Sequence, residues 1–167
     1  MEIKCSCAIE SSDSSDQLIV LDLLREHWGS EKIVSKGKVV DASTLPRIVA
    51  RNERGEIVGL ATYLITPENG GCELVTLDAF VESSGIGTKL INLVEDQVKK
   101  NNCKRVWLIT TNDNPEAAIF YVKRGYRLID VRLNALDESR KLKPEIPKIG
   151  KYGIALNDEW EFEKIVD

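Results

Sequence analysis

The sequence predicts an α/β fold in which a mixed central β-sheet is flanked by helices. Stretches with apolar residues three or four positions apart, as in amphipathic helices, alternate along the chain with short apolar or alternating runs typical of strands. Their order is strand, helix, several strands, and then helix, strand, helix, strand and strand. Because that order combines successive strands with helical crossovers, the sheet is expected to be mixed.

The whole chain, residues 1–167, is expected to form a single domain. A chain of 167 residues has the size of one ordinary domain and can bury roughly 70% of its unfolded surface. With 43% apolar and 30% charged residues, its composition is that of a soluble globular protein. The sequence contains no internal repeat or low-complexity tract.

The first predicted elements are a short strand at residues 2–9 and a helix at 16–28. The helix is predicted from apolar positions three or four apart, and Gly29 can end it. These positions are Leu18, Leu21, Leu24 and Trp28. The next stretch, 31–45, is ambiguous and is expected to be a loop with one short strand.

The middle of the chain is predicted to contain three strands and a helix. Strands at 47–50 and 57–65 are joined by a hairpin turn, and a third strand occupies 72–81. The helix at 86–100 is the clearest in the sequence because one side of it is apolar. Its expected buried positions are Ile86, Leu90, Leu93, Val94 and Val98.

The last third of the chain alternates strand and helix. The run 105–110 is almost continuously apolar, as in a strand that is buried on both faces. A short helix is predicted between the cap Asn114-Pro115 and the terminator Gly125. The other predicted elements are a strand at 126–132, a charged connection at 134–150 that is helical near 136–141, and a strand at 159–163.

Charge and composition narrow the range of partners. The net charge of −4 and the pI of 5.2 argue against nucleic acid. The N-terminus lacks the apolar core of a signal peptide, and no window approaches about 18 consecutive apolar residues, so no membrane association and a cytoplasmic location are expected. The cysteines have no Cys-x-x-Cys spacing, so they are expected to be reduced thiols, and no metal is expected. They are Cys5, Cys7, Cys72 and Cys103.

A glycine-containing turn between the strand at 72–81 and the helix at 86–100 is a candidate phosphate site. Gly85-Ile86-Gly87 lets backbone N–H groups approach a ligand, and the helix N-terminus adds unpaired donors and partial positive charge. A dinucleotide fingerprint needs a third glycine where Leu90 stands, and a P-loop needs a different order from Gly87-Thr88-Lys89. By itself the turn is explained equally well by local geometry.

The second half of the chain adds Asn114, Ala117, Tyr121, Gly125 and Tyr126 in that order. Together with the glycine turn, these residues resemble the GNAT superfamily of acyl-CoA-dependent N-acyltransferases over residues 72–129, about a third of the chain. The chain departs from that family where Glu82 replaces a glutamine or arginine. A carboxylate is unfavourable beside phosphates, so Glu82 is expected to point away from them.

The resemblance implies a GNAT-like acyltransferase fold with acetyl-CoA as co-substrate and a small-molecule or peptide amine as acceptor. It implies that the backbone of Leu77 and Ala79 pairs with the pantetheine arm, that Asn114 bonds the cofactor, and that Tyr121 protonates the departing thiolate. It also implies a pyrophosphate cradle formed by the amides of Ser83, Ser84, Gly85, Ile86, Gly87 and Thr88. From the residues alone, Asn114 is equally a helix cap, Tyr121 a core aromatic and Thr88 a first-turn residue.

The reaction also needs a base, because an amine is largely an ammonium ion near neutral pH. Glu73 is the candidate, and its alternative role is that of a solvated or ion-paired strand residue. Asp78, Asp158 and Glu159 are lesser candidates. The implied acceptor site lies in 25–45 and 133–160, and the resemblance allows a homodimer. The alternative functions are a non-catalytic acyl-CoA-binding or regulatory module and a structural domain.

Overall fold

A seven-stranded sheet with helices on both faces organises the described part of the chain. The computed structural model describes residues 7–82 and 84–167. The helices are α1 (Gln17–Trp28), α2 (Ile86–Lys100), α3 (Pro115–Val122) and α4 (Ala135–Leu142). The strands are β1 (Ala8–Ser11), β2 (Lys32–Ser35), β3 (Lys38–Asp41), β4 (Arg47–Arg51), β5 (Ile57–Thr66), β6 (Gly71–Ala79), β7 (Arg105–Thr111), β8 (Arg127–Arg132) and β9 (Glu159–Ile165).

The strand order in the sheet is β1-β4-β5-β6-β7-β9-β8. Among the described strands, β6 and β7 are a parallel pair and every other neighbouring pair in the sheet is antiparallel. The predicted α/β fold with a mixed sheet is therefore confirmed. Residues 2–6 of the predicted strand 2–9, including Cys5, lie outside the described residues, and β1 begins at Ala8 within the rest of that run.

The parallel pair β6–β7 is short, and beyond it the two strands diverge. Pairing joins Gly71 to Arg105 and ends where Glu73 faces Trp107. On its other side, β6 carries one extra residue, Val75, between the pairs Thr62–Thr76 and Tyr63–Leu74. A bulge of this kind bends its strand and increases the local twist. Here it lies next to the point at which β6 separates from β7.

Helix α2 packs on one face of the sheet and matches its predicted bounds, 86–100. The buried stripe contains Ile91 where Leu93 was expected, and Leu93 is half-buried. Gly59 of β5 allows the close approach, because a Cβ atom at that position would lie 2.5 Å from Cγ2 of Ile86. Only glycine tolerates such contact without a shift of the helix.

The opposite face is covered by α1 and the β2–β3 hairpin. Helix α1 is confirmed, and of its predicted stripe Leu24 is buried and Trp28 packs against the core. The stripe is wrong at Leu18, which is 75% exposed, whereas Val20 is buried. Residues 18–21 are all apolar, so spacing alone does not decide which of two stripes faces the sheet. Gly29 ends the helix in the left-handed conformation, with φ 80°.

The stretch 31–45 forms two strands rather than the single strand expected. β2 and β3 pair as a hairpin whose turn residues, Lys36 and Gly37, both have positive φ. Such a turn normally contains asparagine, aspartate or glycine at both positions. Because lysine occupies the first position here, the sequence does not indicate the turn. Lys36 is held in place because its Nζ lies 2.6 Å from Glu161 Oε2 and 4.2 Å from the ring centre of Trp107.

Strand β7 is buried on one face only, contrary to the prediction. Val106 and Leu108 pack in the core beneath α2, whereas Trp107 and Ile109 are half-buried. Their side of the strand lines cavities rather than a packed layer. The cap Asn114, the terminator Gly125 (φ 87°) and the helix near 136–141 are confirmed. No described helix has the length and apolar character needed to cross a membrane.

Candidate active site

A cleft of 420 Å³ opens where β6 and β7 separate, and we call it the central cleft. Its walls come from β6, β7, α3 and the end of α1. They include Trp28, Leu77, Asp78, Asn114 and Tyr121. The structure therefore brings together five positions from distant parts of the sequence, four of them named as candidates from sequence alone.

A second cavity, the α3 groove, has a volume of 500 Å³ and lies on the α2 and α3 side of the sheet. It shares Leu77, Ala79, Ala117 and Tyr121 with the central cleft, so the two are continuous. At its far end lies Gly87, in the first turn of α2. A long ligand could thus extend from the start of α2 along β6 to Tyr121.

The edge of β6 that faces this path offers backbone hydrogen-bonding groups. Phe80 N donates to Val58 O at 2.9 Å, and Asp78 pairs with Leu60, so the backbone groups of Phe80 and Asp78 point toward β5. Because these groups alternate along a strand, those of Leu77 and Ala79 point the other way, into the gap between β6 and β7. This orientation is what backbone pairing with an extended ligand requires.

The turn before α2 has the geometry of an anion site. Gly85 has a φ of 73°, which favours glycine, and Ser84 Oγ donates to Val81 O at 2.7 Å. The first intrahelical bond runs from Lys89 N to Gly85 O, so the amides of Ile86, Gly87 and Thr88 have no partner within the helix, and that of Ile86 makes only a 3.4 Å bond to Ser84 Oγ. Ser83, a predicted member of the cradle, lies outside the described residues.

Arg124 lies beside this turn and was not singled out as a ligand from sequence. Its Nε donates to Thr88 Oγ1 at 3.0 Å, its Nη1 donates to Phe120 O at 2.7 Å, and the guanidinium stacks 3.4 Å above the Phe120 ring. Burial lowers the pKa of Arg124, which nevertheless remains a cation at neutral pH. Thr88, whose backbone amide is predicted to join the cradle, accepts from Arg124 through its hydroxyl. In the sequence, the feature that could have indicated Arg124 as a ligand is the basic pair Lys123-Arg124 before Gly125.

Tyr121 is a buried aromatic with one side on the cavities. Its ring packs against Phe120, Tyr126 and Phe162 at centroid distances of 5.2, 5.6 and 6.2 Å, so the alternative role as a core residue is also supported. Burial, with the negative charge of Asp78, raises the pKa of Tyr121 above its usual range. The phenol is therefore protonated throughout the neutral range.

Asn114 caps α3, as its alternative role predicted. Its Oδ1 accepts from Ala117 N at 3.2 Å and from Lys151 Nζ at 3.4 Å. Its place in the wall of the central cleft leaves the expected cofactor contact a prediction. On the opposite wall, Trp28 Nε1 donates to Asp78 Oδ2 at 2.9 Å, and burial raises the pKa of Asp78.

A third cavity, the inner chamber, has a volume of 140 Å³ and adjoins the central cleft at Trp28 and Leu74. Glu73 and Glu159 both line it and are buried. Burial raises the pKa of Glu73, and the charges of Glu161 and Glu159 add to the rise, while Ser35 and Lys36 oppose it. A carboxylate with a raised pKa in a cavity is a typical candidate base.

Neighbouring carboxylates are neutralised by cations, whereas Glu73 is not. Glu161 makes ion pairs with Lys36, Arg105 and Arg132, and Glu159 Oε2 accepts from Arg132 Nε at 3.1 Å. Glu73 has no ion pair within 4.0 Å among residues 7–82 and 84–167. The ion-paired alternative is therefore not supported. Asp158, a lesser candidate, accepts from Asn134 N at 2.8 Å and does not line the inner chamber.

Glu82 does not lie apart from the predicted phosphate path. It lines the α3 groove together with Glu116, and the expectation that its carboxylate points away from the phosphates stays a prediction. Glu82 is exposed, and water therefore screens its charge. Arg124, which donates to Thr88 in the first turn of α2, adds a positive charge beside this turn.

Comparison with known proteins identifies the family to which these features correspond. Residues 19–126 match the sequence model of the acetyltransferase (GNAT) family. The chain is 41% identical over 149 residues to uncharacterized protein YdhI of Bacillus subtilis, covering 89% of this chain and 92% of that protein.

Two solved structures share the fold. An IAA acetyltransferase from Bacillus cereus superposes with a TM-score of 0.70 at 17% identity, covering 96% of this chain and 99% of that chain. A Bacillus subtilis acetyltransferase in complex with CoA superposes with a TM-score of 0.68 at 17% identity, covering 97% of this chain and 100% of that chain. These superpositions confirm the fold that the motif resemblance implied.

Proposed function

The chain belongs to the acetyltransferase (GNAT) family, and we propose that it transfers an acetyl group from acetyl-CoA to a primary amine by direct attack. We propose that residues 1–167 act as one domain in this reaction. No metal takes part in the proposed chemistry. The observation that carries the proposal is the continuous path from the first turn of α2, along the open edge of β6, to Tyr121.

The co-substrate fits this path by its chemistry. The first amides of α2, beside Arg124, are suited to the pyrophosphate, because a helix N-terminus and a guanidinium both favour phosphate oxygens. The backbone groups of Leu77 and Ala79 are suited to the amide groups of the pantetheine arm. The thioester then lies in the central cleft, between Tyr121 and the inner chamber.

Acetyl-CoA supplies an activated acetyl group, and the chain supplies two proton transfers. Glu73 takes a proton from the acceptor ammonium, directly or through water, so that the amine nitrogen can bond to the acetyl carbon. As the carbon–sulfur bond breaks, Tyr121 donates its phenolic proton to the sulfur. Because its raised pKa keeps the phenol protonated at neutral pH, Tyr121 carries the proton that this step needs.

Direct attack is favoured over an acetyl-cysteine intermediate. Cys72 is fully buried, and burial raises the pKa of its thiol to about 12. Because the thiolate is the nucleophilic form of cysteine, Cys72 is unreactive at neutral pH. A labelled acetyl group found on Cys72 during turnover would contradict this reading.

The first test is calorimetric titration of the protein with acetyl-CoA, with dephospho-CoA and NAD as controls. Micromolar binding of acetyl-CoA, and weaker binding of both controls, supports the proposal. Absence of binding to folded protein would overturn it.

Ala79→Pro tests the strand edge directly. Proline removes an N–H that points into the gap and leaves the β5 ladder intact, so affinity for acetyl-CoA should fall about fivefold to tenfold. Ala79→Ser keeps the N–H and serves as the matched control. Equal affinities of the two variants would contradict the proposed pairing.

A further inference from the structure

A fourth cavity, the hairpin pocket, extends the acceptor side of the site. It has a volume of 350 Å³ and lies between the β2–β3 hairpin and strands β5, β6 and β7. Ser35 and Glu73 line both this pocket and the inner chamber, so they form the passage between the two. An acceptor whose amine occupies the inner chamber would extend past these residues into the hairpin pocket.

The passage contains a polar atom without a partner. Ser35 is 6% exposed, and its Oγ has no hydrogen-bond partner among the residues that the structure describes. The Glu73 carboxylate is close enough to be influenced by this hydroxyl, but the two do not reach hydrogen-bond geometry. A buried hydroxyl without a partner is unfavourable, so a polar group of a ligand is the natural partner for it.

Charge changes sign along the two cavities. The inner chamber presents Glu73, which lacks an ion pair within the described residues. The hairpin pocket presents Lys36, Lys38 and Arg105. Of these, Lys36 and Arg105 are paired with carboxylates of β9, whereas Lys38 makes no ion pair with any residue of the described ranges.

The wall between the two ends is largely apolar. Val40, Leu64 and Trp107 line the hairpin pocket between the charged groups. The volume of this pocket is in the range of small-molecule sites, and the inner chamber is about the size of a cavity that holds benzene. These dimensions fit a small molecule with a short apolar linker.

We propose that the acceptor is a small amine that also carries a carboxylate or similar anionic group, with the amine between Glu73 and Ser35 and the anion at Lys38. The inference rests on the proposed acetyltransferase function and goes beyond it by naming the acceptor class. A diamine of the same length would place a second ammonium against Lys38. A simple alkylamine would leave Lys38 without a partner.

The test compares acceptors that differ in one terminal group. With acetyl-CoA, the acceptors are 4-aminobutanoate, 6-aminohexanoate and 8-aminooctanoate, each beside the alkylamine and the diamine of equal length. We expect kcat/KM for the best amino acid to exceed that for its alkylamine and diamine by about tenfold or more. A diamine or alkylamine equal to or better than every amino acid would overturn the inference.

Variants of Lys38 test whether this lysine binds the anionic group of the acceptor. Lys38→Met should lower kcat/KM for the amino acid severalfold relative to kcat/KM for the alkylamine, and Lys38→Glu should shift the preference toward the diamine. Lys99→Met, which changes an exposed lysine at the end of α2, is the matched control and should change neither. Equal effects of Lys38→Met on all acceptors would refute the assignment of the anion to Lys38.

Failure of the inference is distinguishable from failure of the proposed function. If acetyl-CoA binds and amines without a carboxylate are the better acceptors, the acceptor class is wrong and the acetyltransferase function stands. If acetyl-CoA binds and no amino acid in the series is acetylated, the acceptor class is likewise overturned. If acetyl-CoA does not bind, both proposals fall.

Discussion

Replacing Glu73 with glutamine tests two properties of this residue, the cost of burying its charge and its proposed role as the base. Glu73 is 8% exposed and has no ion pair within the described chain, so burying its ionised form carries a cost that Ser35 and Lys36 offset only in part. A carboxyl whose pKa is raised on folding stabilises the fold at low pH, and that contribution is lost as the pH rises through the raised pKa. Glu73→Gln should therefore melt at a higher temperature than the wild type at about pH 8, and at a similar temperature at about pH 4.

The catalytic activity of Glu73→Gln should fall, although its melting temperature at pH 8 rises. A positioned base contributes about 10²- to 10⁴-fold, and an amine of pKa near 10 is about one-thousandth unprotonated at pH 7. We expect Glu73→Gln to lower kcat/KM by about 100-fold or more at pH 7. The deficit should shrink as the pH approaches 10, because an amine that is already unprotonated needs no base.

The assay is thiol release from acetyl-CoA between about pH 6 and pH 10, with a calorimetric titration of acetyl-CoA to show that its site is intact. Glu68→Gln, on the exposed turn after β5, is the matched control and should follow the wild type. The charged groups that influence Glu73 are Lys36, Glu161 and Glu159, and all three are retained in both variants. A pH profile of Glu73→Gln that stays parallel to the wild type would refute the base role. A lower melting temperature of Glu73→Gln at pH 8 would refute a net cost of burying the Glu73 charge.

Two further predictions concern the co-substrate. Tyr121→Phe should lower kcat by about 10²-fold and leave the Kd for acetyl-CoA within about twofold, because only the transferable proton is removed; unchanged turnover in the thiol-release assay would instead favour a core role for Tyr121. Glu82→Gln should tighten acetyl-CoA binding about twofold to fivefold at low salt, and less at high salt, because it removes a screened repulsion from the α3 groove. Calorimetry with Glu68→Gln as control checks this, and a gain that does not depend on salt would contradict the electrostatic explanation.

The parts of the fold that were predicted from sequence are those with local signals. Helix α2 has a one-sided apolar pattern, and α3 has a cap, a proline and a terminal glycine, so both were predicted with nearly correct bounds. Strand β7 and the β2–β3 hairpin were predicted less well, because the burial of Trp107 and the turn at Lys36 depend on contacts with distant residues.

In the candidate site, too, the residues with a local sequence signal were predicted and those placed by distant contacts were not. Motif spacing indicated Tyr121, Asn114 and the glycine turn, but it did not indicate Arg124 as a neighbour of Thr88 or Ser35 as a neighbour of Glu73. Arg124 and Thr88 lie 36 positions apart in the sequence, and Glu73 and Ser35 lie 38 positions apart. Their proximity follows from the packing of whole elements and has no local signature.

The bulge at Val75 explains why even the side of β6 on which each candidate lies could not be predicted. In a regular strand, residues five apart point to opposite faces, so Glu73 and Asp78 would be separated by the sheet. Because Val75 is an extra residue, the alternation of side chains between the two faces shifts by one position at the bulge. Glu73 consequently meets Ser35 of β2, and Asp78 meets Trp28 of α1, both on the face covered by α1 and the hairpin. By the same shift, Leu74 and Leu77 both join the core beneath α2. A single inserted residue thus gathers the carboxylates on the acceptor side, next to the gap through which the strand edge faces the proposed thioester.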